Sequence, residues 1–202
     1  MLAEQKEKLM NKTGEFLCLG ITADGRPVGI INVPWKSTAN AYNMRLPDVY
    51  ITPEDLHNEE IMSRIKEFFV SGCYIWVPLE DYGFLSEFKD IMDISIKDGS
   101  GVKNLSYLEG LTECTMLYLR DAHLENLEEL VKAKKSSAKP RTLSNICLDG
   151  CVVDDLSHFE GEKLFFNELT VFMPERSNEK DRWTAVSKRC NYFEYRIKKE
   201  KI

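Results

Sequence analysis

One spacing of apolar residues recurs through the middle of the chain. The segment that starts at Leu143 reads L-x-x-I-x-L-x-x-C-x-V, and its apolar residues continue at steps of three to Leu156. The segment that starts at Cys114 has the same spacing and continues in the same steps to Leu130. A recurring spacing of this kind indicates stacked units, each of which buries its apolar face only against its neighbours.

Three further copies flank these two segments. One copy begins at Ile91 and needs an extra residue in its Gly99-Ser100-Gly101 turn, and a weaker copy has its apolar pair at Ile75 and Val77. A last copy begins at Phe166 and loses the spacing at the end of its strand. The centres of the predicted strands are Ile75, Ile94, Leu117, Ile146 and Leu169.

The widest gap between two predicted strand centres contains a basic, polar segment. Residues 132–141 read K-A-K-K-S-S-A-K-P-R, with a proline at position 140. Polar runs that contain proline are typical of surface connections. The sequence therefore predicts an exposed loop, inserted into one repeat.

With this spacing the chain resembles the leucine-rich repeat family, whose core signature is L-x-x-L-x-L-x-x-N/C-x-L. The resemblance covers roughly residues 72–173, and Gly99, Ala122 and Cys151 occupy the position that the family usually gives to asparagine. It implies an α/β fold: a short right-handed solenoid with a parallel sheet, in which each short strand is followed by an irregular turn or short helix that returns the chain. The competing interpretation is an ordinary α/β domain whose strands share a spacing.

The flanks predict covering segments at both ends of this solenoid. In residues 1–71, two apolar runs around Asp24-Gly25 predict a β-hairpin, and Thr52-Pro53 predicts the start of a helix. Together they form the expected N-terminal cap. Residues 174–202 contain a predicted closing strand at Cys190–Ile197 and a basic tail. The predicted domain organisation is therefore 1–71, 72–173 and 174–202.

Strand alternation predicts which side chains leave the core. If Leu117 and Leu119 point inward, Tyr118 and Arg120 point outward. The same rule predicts one exposed row with Trp76 beside Ser95 and Tyr118. The next row contains Lys97, Arg120, Asp149 and Phe172. Aromatic side chains beside arginine are enriched at protein interfaces. We therefore expect a non-catalytic protein- or peptide-binding face with the site residues Trp76, Lys97, Tyr118, Arg120, Asp149 and Phe172.

Composition limits the classes of partner. The 202 residues carry 27 Lys and Arg against 33 Asp and Glu, a net charge of −6. An acidic chain is a poor candidate for nucleic-acid binding, and no apolar run approaches the ~20 residues that span a bilayer. The N-terminal residues are too charged for a signal peptide. The sequence therefore predicts a cytoplasmic protein without a nucleic-acid or membrane partner.

Candidate chemistry is sparse. The six cysteines form no Cys-x-x-Cys pair, so we expect buried structural thiols and neither a metal nor a cofactor. The sequence lacks a Walker loop, a His-Glu-x-x-His motif and a Gly-x-Ser-x-Gly motif. His123 and His158 fall in polar positions of the returning turns. Catalysis by a Cys–His pair stays open, but the sequence favours a protein that is not an enzyme.

Two alternatives to a binding module remain. The segment FLCLGITADGRPVGIINV, from Phe16 to Val33, resembles the opening hairpin of flavin-binding split-barrel proteins, which implies a small-molecule or flavin-binding enzyme. Alternatively, the open ends of a solenoid would support a purely structural homo-oligomer. A binding module is expected to be a monomer or a weak homo-oligomer.

Overall fold

The protein has an α/β fold in which a mostly parallel sheet is accompanied by few helices. This architecture comes from a computed structural model. It describes residues 16–21, 27–31, 48–51, 53–59, 62–63, 66, 69–88, 90–137, 139, 141–157, 166–174, 180–187 and 190–198.

The described residues form eleven strands. Nine of them belong to one sheet, and two short strands form a second sheet. The strands are β1 (Phe16–Ile21), β2 (Pro27–Ile31), β3 (Asp48–Ile51), β4 (Gly72–Ile75), β5 (Asp93–Ile96), β6 (Met116–Arg120), β7 (His123–Asn126), β8 (Asn145–Asp149), β9 (Val152–Asp155), β10 (Phe166–Pro174) and β11 (Cys190–Lys198).

Short helical segments connect several of these strands. They include the α-helices α1 (Pro53–Leu56), α2 (Glu128–Ser136) and α3 (Lys180–Ser187) and two 3₁₀ turns, Gly83–Glu87 and Ser106–Leu108. The 3₁₀ turns agree with the short, irregular returns that the sequence predicts after β4 and β5.

The strands of the large sheet follow one another in chain order. The order is β1-β2-β3-β4-β5-β6-β8-β10-β11, and β7 and β9 form the second sheet. The hairpin β1–β2 is antiparallel, whereas every other described pairing is parallel. The prediction of an α/β fold with a parallel sheet is confirmed at this level.

Two equivalent bends connect the large sheet to the small one. After β6 the backbone turns at Asp121 (φ 56°), and after β8 it turns at Gly150 (φ 70°). Both residues precede the same repeat position, which holds Ala122 and Cys151. Strands β7 and β9 then pair in parallel, and the Val152 amide donates to the Ala122 carbonyl at 2.8 Å. The sequence predicted irregular turns or short helices here, so the second sheet corrects that expectation.

The recurring apolar positions form the core. Ile94 and Leu117 are completely buried, and Ile146 is 1% exposed. Cys151 is buried at the position that leucine-rich repeats usually give to asparagine, and its thiol donates to the Leu119 carbonyl at 3.2 Å. A side chain at this position therefore links one turn of the chain to the preceding one.

The register of β4 corrects the sequence prediction. The weak copy was centred on Ile75 and Val77, but Cys73 pairs with Ile94 and Ile75 pairs with Ile96. Cys73 is fully buried, whereas Val77 is 42% exposed. The strand therefore lies two residues earlier in the repeat than the sequence predicted.

The predicted inserted loop at residues 132–141 is also corrected. Its first half belongs to α2, which buries Leu130, Val131 and Ala133. Glu128 and Lys132 form an ion pair of 2.8 Å one helical turn apart, and the Lys134 ammonium donates to the Thr142 carbonyl. The described residues after Ser136 form the connection to β8.

The flanking strands join the same sheet. The predicted hairpin corresponds to β1 and β2, although residues 22–26 of its turn lie outside the described residues. The predicted helix start is confirmed by α1, and the closing strand by β11. Strands β3 and β4 pair with one another although the predicted boundary at residue 71 lies between them. Strand β10 contains the predicted boundary at residue 173 and pairs with β11 beyond it. The division into caps and a central domain stays a prediction.

Candidate functional site

The large sheet has a face that points away from the core, which we call the outer face. One row across it contains residues that pair on successive strands: Tyr74, Ser95, Tyr118, Cys147, Thr170 and Glu194. A second row lies two residues further along each strand. There Arg120 pairs with Asp149, which pairs with Phe172, which in turn pairs with Arg196.

The register moves Trp76 from the first row to the second. The sequence placed Trp76 beside Ser95, but Ser95 pairs with Tyr74. Trp76 follows the last paired residue of β4, as Lys97 follows the last paired residue of β5, so these two side chains flank one another. Trp76 remains 37% exposed at the strand end. All six predicted site residues thus occupy one face, with this change of row.

The centre of the outer face contains a cation, an aromatic ring and a carboxylate in contact. The Lys97 ammonium lies 3.9 Å from the centroid of the Tyr118 ring. The Tyr118 hydroxyl donates a hydrogen bond of 2.7 Å to an oxygen of Asp149, which is 8% exposed. Lys97 follows the end of β5, Tyr118 lies in β6 and Asp149 lies in β8. The parallel register of these three neighbouring strands therefore brings the side chains together.

Burial and neighbouring charges set the protonation behaviour of this cluster. Partial burial lowers the pKa of Lys97, and the positive charge of Arg120 lowers it further. Burial raises the pKa of Tyr118, and so does its hydrogen bond to Asp149. Tyr118 therefore stays protonated and keeps donating to the carboxylate, while Lys97 is a cation with part of its water removed.

Arg120 and Phe172 lie on either side of Asp149 in the second row. Arg120 is exposed and forms an ion pair of 2.9 Å with Asp121. Phe172 is half-buried, and the guanidinium of Arg196 lies 5.8 Å from its ring. Arg196 also donates a hydrogen bond to Glu194. Arg196 therefore lies beside the Phe172 ring, as Lys97 lies beside the Tyr118 ring.

The sequence reasoning missed the contribution of β11 to this face. Glu194 and Arg196 pair with Thr170 and Phe172, so they complete both rows. The sequence contains the signal, because apolar and charged residues alternate in the closing strand from Phe193 to Lys198. The prediction treated that strand as a cap and did not extend the rows across it.

The described cysteines and histidines are the remaining candidates for catalysis or metal binding. Within the described ranges, no group of three or more His, Cys, Asp or Glu side chains is arranged to hold a metal ion. Burial raises the pKa values of Cys114 and Cys151 to about 12, which keeps both thiols protonated at neutral pH. His123 lies on the second sheet, 3.0 Å from Asp154, and His158 lies outside the described residues.

No protein-family model matches the chain, and no curated protein matches it. In the part of the chain that the structure describes, no helix is long and apolar enough to cross a membrane.

Proposed function

We propose that this chain is a non-catalytic binding module that recognises a protein or peptide through the outer face. The cluster of Lys97, Tyr118 and Asp149 is the observation that carries the proposal. Its members already contact one another, so little side-chain entropy is lost when a partner covers them. Its cation is partly dehydrated yet accessible, which favours a partner that supplies a carboxylate or a carbonyl.

The flanking side chains would supply the apolar and charged parts of the interface. Trp76, Tyr118 and Phe172 are the proposed anchors, because aromatic side chains bury large areas at low conformational cost. Lys97, Arg120 and Asp149 would set charge complementarity. Charges of both signs lie within one row, so they favour a partner with a matching alternation over a uniformly charged one.

The architecture proposed for this module is a leucine-rich-repeat-like solenoid over residues 72–173, with the flanking segments as caps. Two observations support it. Strands β4, β5, β6, β8 and β10 pair in parallel and in chain order. The bends at Asp121 and Gly150 recur at one repeat position with the same backbone conformation. Stacked repeats often present a continuous sheet face to their partners.

The first test is affinity capture from the native cytoplasm, the predicted compartment, read by mass spectrometry. The variant Trp76→Ala/Tyr118→Ala removes two anchors, and the control Met92→Ala/Val152→Ala truncates exposed apolar side chains away from the outer face. We expect wild type and control to retain a common partner that the face variant loses at least ~10-fold, as for hot-spot residues.

Folding must be verified for the face variant, because Tyr118 also hydrogen-bonds Asp149. Circular dichroism and thermal unfolding provide that check, and Tyr118→Phe keeps the ring while it removes the hydroxyl. Equal capture of the same partner by wild type and a folded Trp76→Ala/Tyr118→Ala variant would refute the assignment of this face. Capture that is lost equally in the control would refute it as well.

The flavin-binding alternative rests on the N-terminal hairpin. The structure describes the strands of that hairpin but not the side chains that a flavin would contact. It stays a prediction, which flavin absorbance of the purified protein or a flavin-induced rise in Tm would support.

A further inference from the structure

Strand β11 forms one border of the large sheet. It spans nine residues and pairs with β10 on one side, while the described residues place no strand on its other side. Tyr192 and Ile197, near its two ends, are 51% and 48% exposed. A long border strand with exposed apolar side chains presents backbone amides and carbonyls in a pattern that a further strand can pair with.

The order of side chains along β11 separates two faces. Glu194 and Arg196 share the outer face with Thr170 and Phe172, as the pairing with β10 fixes. Phe193 and Tyr195 lie on the other face, where they pack against the core and stay partly exposed. A strand added beside β11 would therefore meet charges on one face and apolar side chains on the other.

A second β11 in antiparallel orientation matches this order in one register. When Tyr195 lies opposite Tyr195 of the second copy, Glu194 lies opposite Arg196 of the second copy. Two-fold symmetry then creates the same pair a second time. On the apolar face, Phe193 lies opposite Ile197. Opposite charges and apolar side chains that face one another across antiparallel strands are stabilising.

Neighbouring registers lack this match. A shift that centres the pair on Glu194 puts two carboxylates opposite each other, and a shift that centres it on Arg196 does the same with two guanidinium groups. Like charges directly opposite each other on paired strands are destabilising. A parallel in-register arrangement would also place Glu194 beside Glu194, and Arg196 beside Arg196, of the second copy. Both shifts and the parallel arrangement add like-charge contacts, so the sequence of β11 favours the antiparallel register centred on Tyr195.

We propose that β11 pairs antiparallel with β11 of a second copy, about a two-fold axis at Tyr195, to give one sheet that is continuous across both copies. Strand pairing alone covers less surface than the ~800 Å² per partner of a standard interface, so the dimer is concentration-dependent. This interface is independent of the binding role proposed for the outer face, and it would align the outer faces of the two copies.

Charge reversal on the full-length chain tests the proposal. We expect wild type to show a monomer–dimer equilibrium in sedimentation velocity at protein concentrations up to about 1 mM, the weak limit of specific association. Glu194→Arg and Arg196→Glu each place like charges opposite one another across the two strands. Each substitution removes both opposite-charge pairs between the copies, so the Kd of the dimer should rise at least ~10-fold. The double variant Glu194→Arg/Arg196→Glu restores both pairs and should dimerise like wild type.

The double variant also controls for folding, because it keeps the contact between residues 194 and 196 within each strand. Circular dichroism should be the same for all four proteins, and Tm in dilute protein should differ little, because a surface ion pair such as that of Glu194 and Arg196 contributes little to stability. A wild type that stays monomeric throughout overturns the proposal, even if β11 captures an extended peptide from another protein. Dimers that persist in both single variants, or that fail to return in the folded double variant, overturn the proposed register.

Discussion

At the residue scale, the turns between the strands depend on positions where a side chain has no space. The Gly99 amide donates to the Arg120 carbonyl at 2.7 Å, and a Cβ atom at Gly99 would lie 2.6 Å from that oxygen. At Gly150 the backbone adopts φ 70°, which L-residues other than Gly, Asn and Asp rarely adopt. Asp121 adopts the same conformation at the equivalent bend, in keeping with that tolerance.

Alanine substitutions at Gly99 and Gly110 separate the cost of a steric clash from the cost of a positive φ. Gly99→Ala forces backbone atoms apart and should reduce the free energy of unfolding by about 1–3 kcal/mol, the range for overpacked sites. Gly110→Ala is the matched control, because Gly110 has a positive φ of 84° but nothing within 4 Å of an added Cβ. Its cost should be about 1 kcal/mol, from strain alone.

Urea unfolding of both variants measures these differences. A Gly99→Ala protein as stable as wild type would contradict the close approach of the two turns.

Because two thiols are buried, we expect the free energy of unfolding to decrease at alkaline pH. The pKa values of Cys114 and Cys151 are raised from 9.0 to about 12 in the folded protein. A raised folded-state pKa contributes stability below the unfolded value, and that contribution is lost as pH rises from about 9 towards 12. Each thiol should lower the free energy of unfolding by up to about 1.4 kcal/mol per pH unit in this window.

Urea unfolding at several pH values checks this slope against the variant Cys114→Ala/Cys151→Ala. The variant should be less stable near neutrality but should show a shallower decline between about pH 9 and 11. Parallel slopes in the two proteins would show that these thiols do not titrate on unfolding.

At the element scale, α2 shows where composition misled the sequence analysis. The lysines and serines of residues 132–141 suggested a solvated loop, but the helix begins earlier, at Glu128. Leu127, Leu130 and Val131 have helical spacing, and acidic residues occupy the first turn while lysines occupy the last. The helical signal was present but straddled the boundary between the repeat pattern and the basic segment.

Removal of one buried side chain from α2 tests its role in the core. Leu130 is 1% exposed, so Leu130→Ala should cost about 2–5 kcal/mol, as for other buried leucines. The control Lys132→Ala alters an exposed side chain of the same helix and should leave Tm nearly unchanged. Equal Tm values for Leu130→Ala and wild type would contradict the packing of this helix against the core.

Strand β4 shows a different limit of sequence analysis. Cys73, Ile75 and Val77 all fit an inward position, so alternation alone allows two registers that differ by two residues. The structure selects Cys73 and Ile75, which pair with the two inward residues of β5. Only the neighbouring strand distinguishes these registers, and a single-strand pattern contains no information about its neighbour.

At the scale of the whole molecule, the sequence predicted the parallel sheet because its apolar repeat is strong from Ile91 to Val171. Alternation placed the six predicted site residues on one face, and they lie on the outer face with Trp76 in the second row instead of the first. Their role in binding stays a prediction. The contacts that join Lys97, Tyr118 and Asp149 did not follow, because strand alternation predicts which residues are neighbours but not how their side chains are oriented. The small second sheet was missed because its strands lie in the part of each repeat that the sequence analysis assigned to returning turns.

Backbone hydrogen exchange offers a test of the whole arrangement. In dilute protein, amides of β5, β6 and β8 should exchange most slowly, because these strands have parallel neighbours on both sides and buried residues such as Ile94, Leu117 and Ile146. Amides of β1 and β11 should exchange faster. Uniform protection across all strands would contradict the sheet order, and mass spectrometry of peptic peptides resolves the difference.

The order of strands in the large sheet has a consequence for synthesis on the ribosome. Beyond β1, every strand of that sheet lies beside a strand that was made before it. A growing chain can therefore add each strand to a border that already exists, without waiting for a later segment. The apolar surface left exposed during translation stays limited to the most recent turn, and the last border to form belongs to β11.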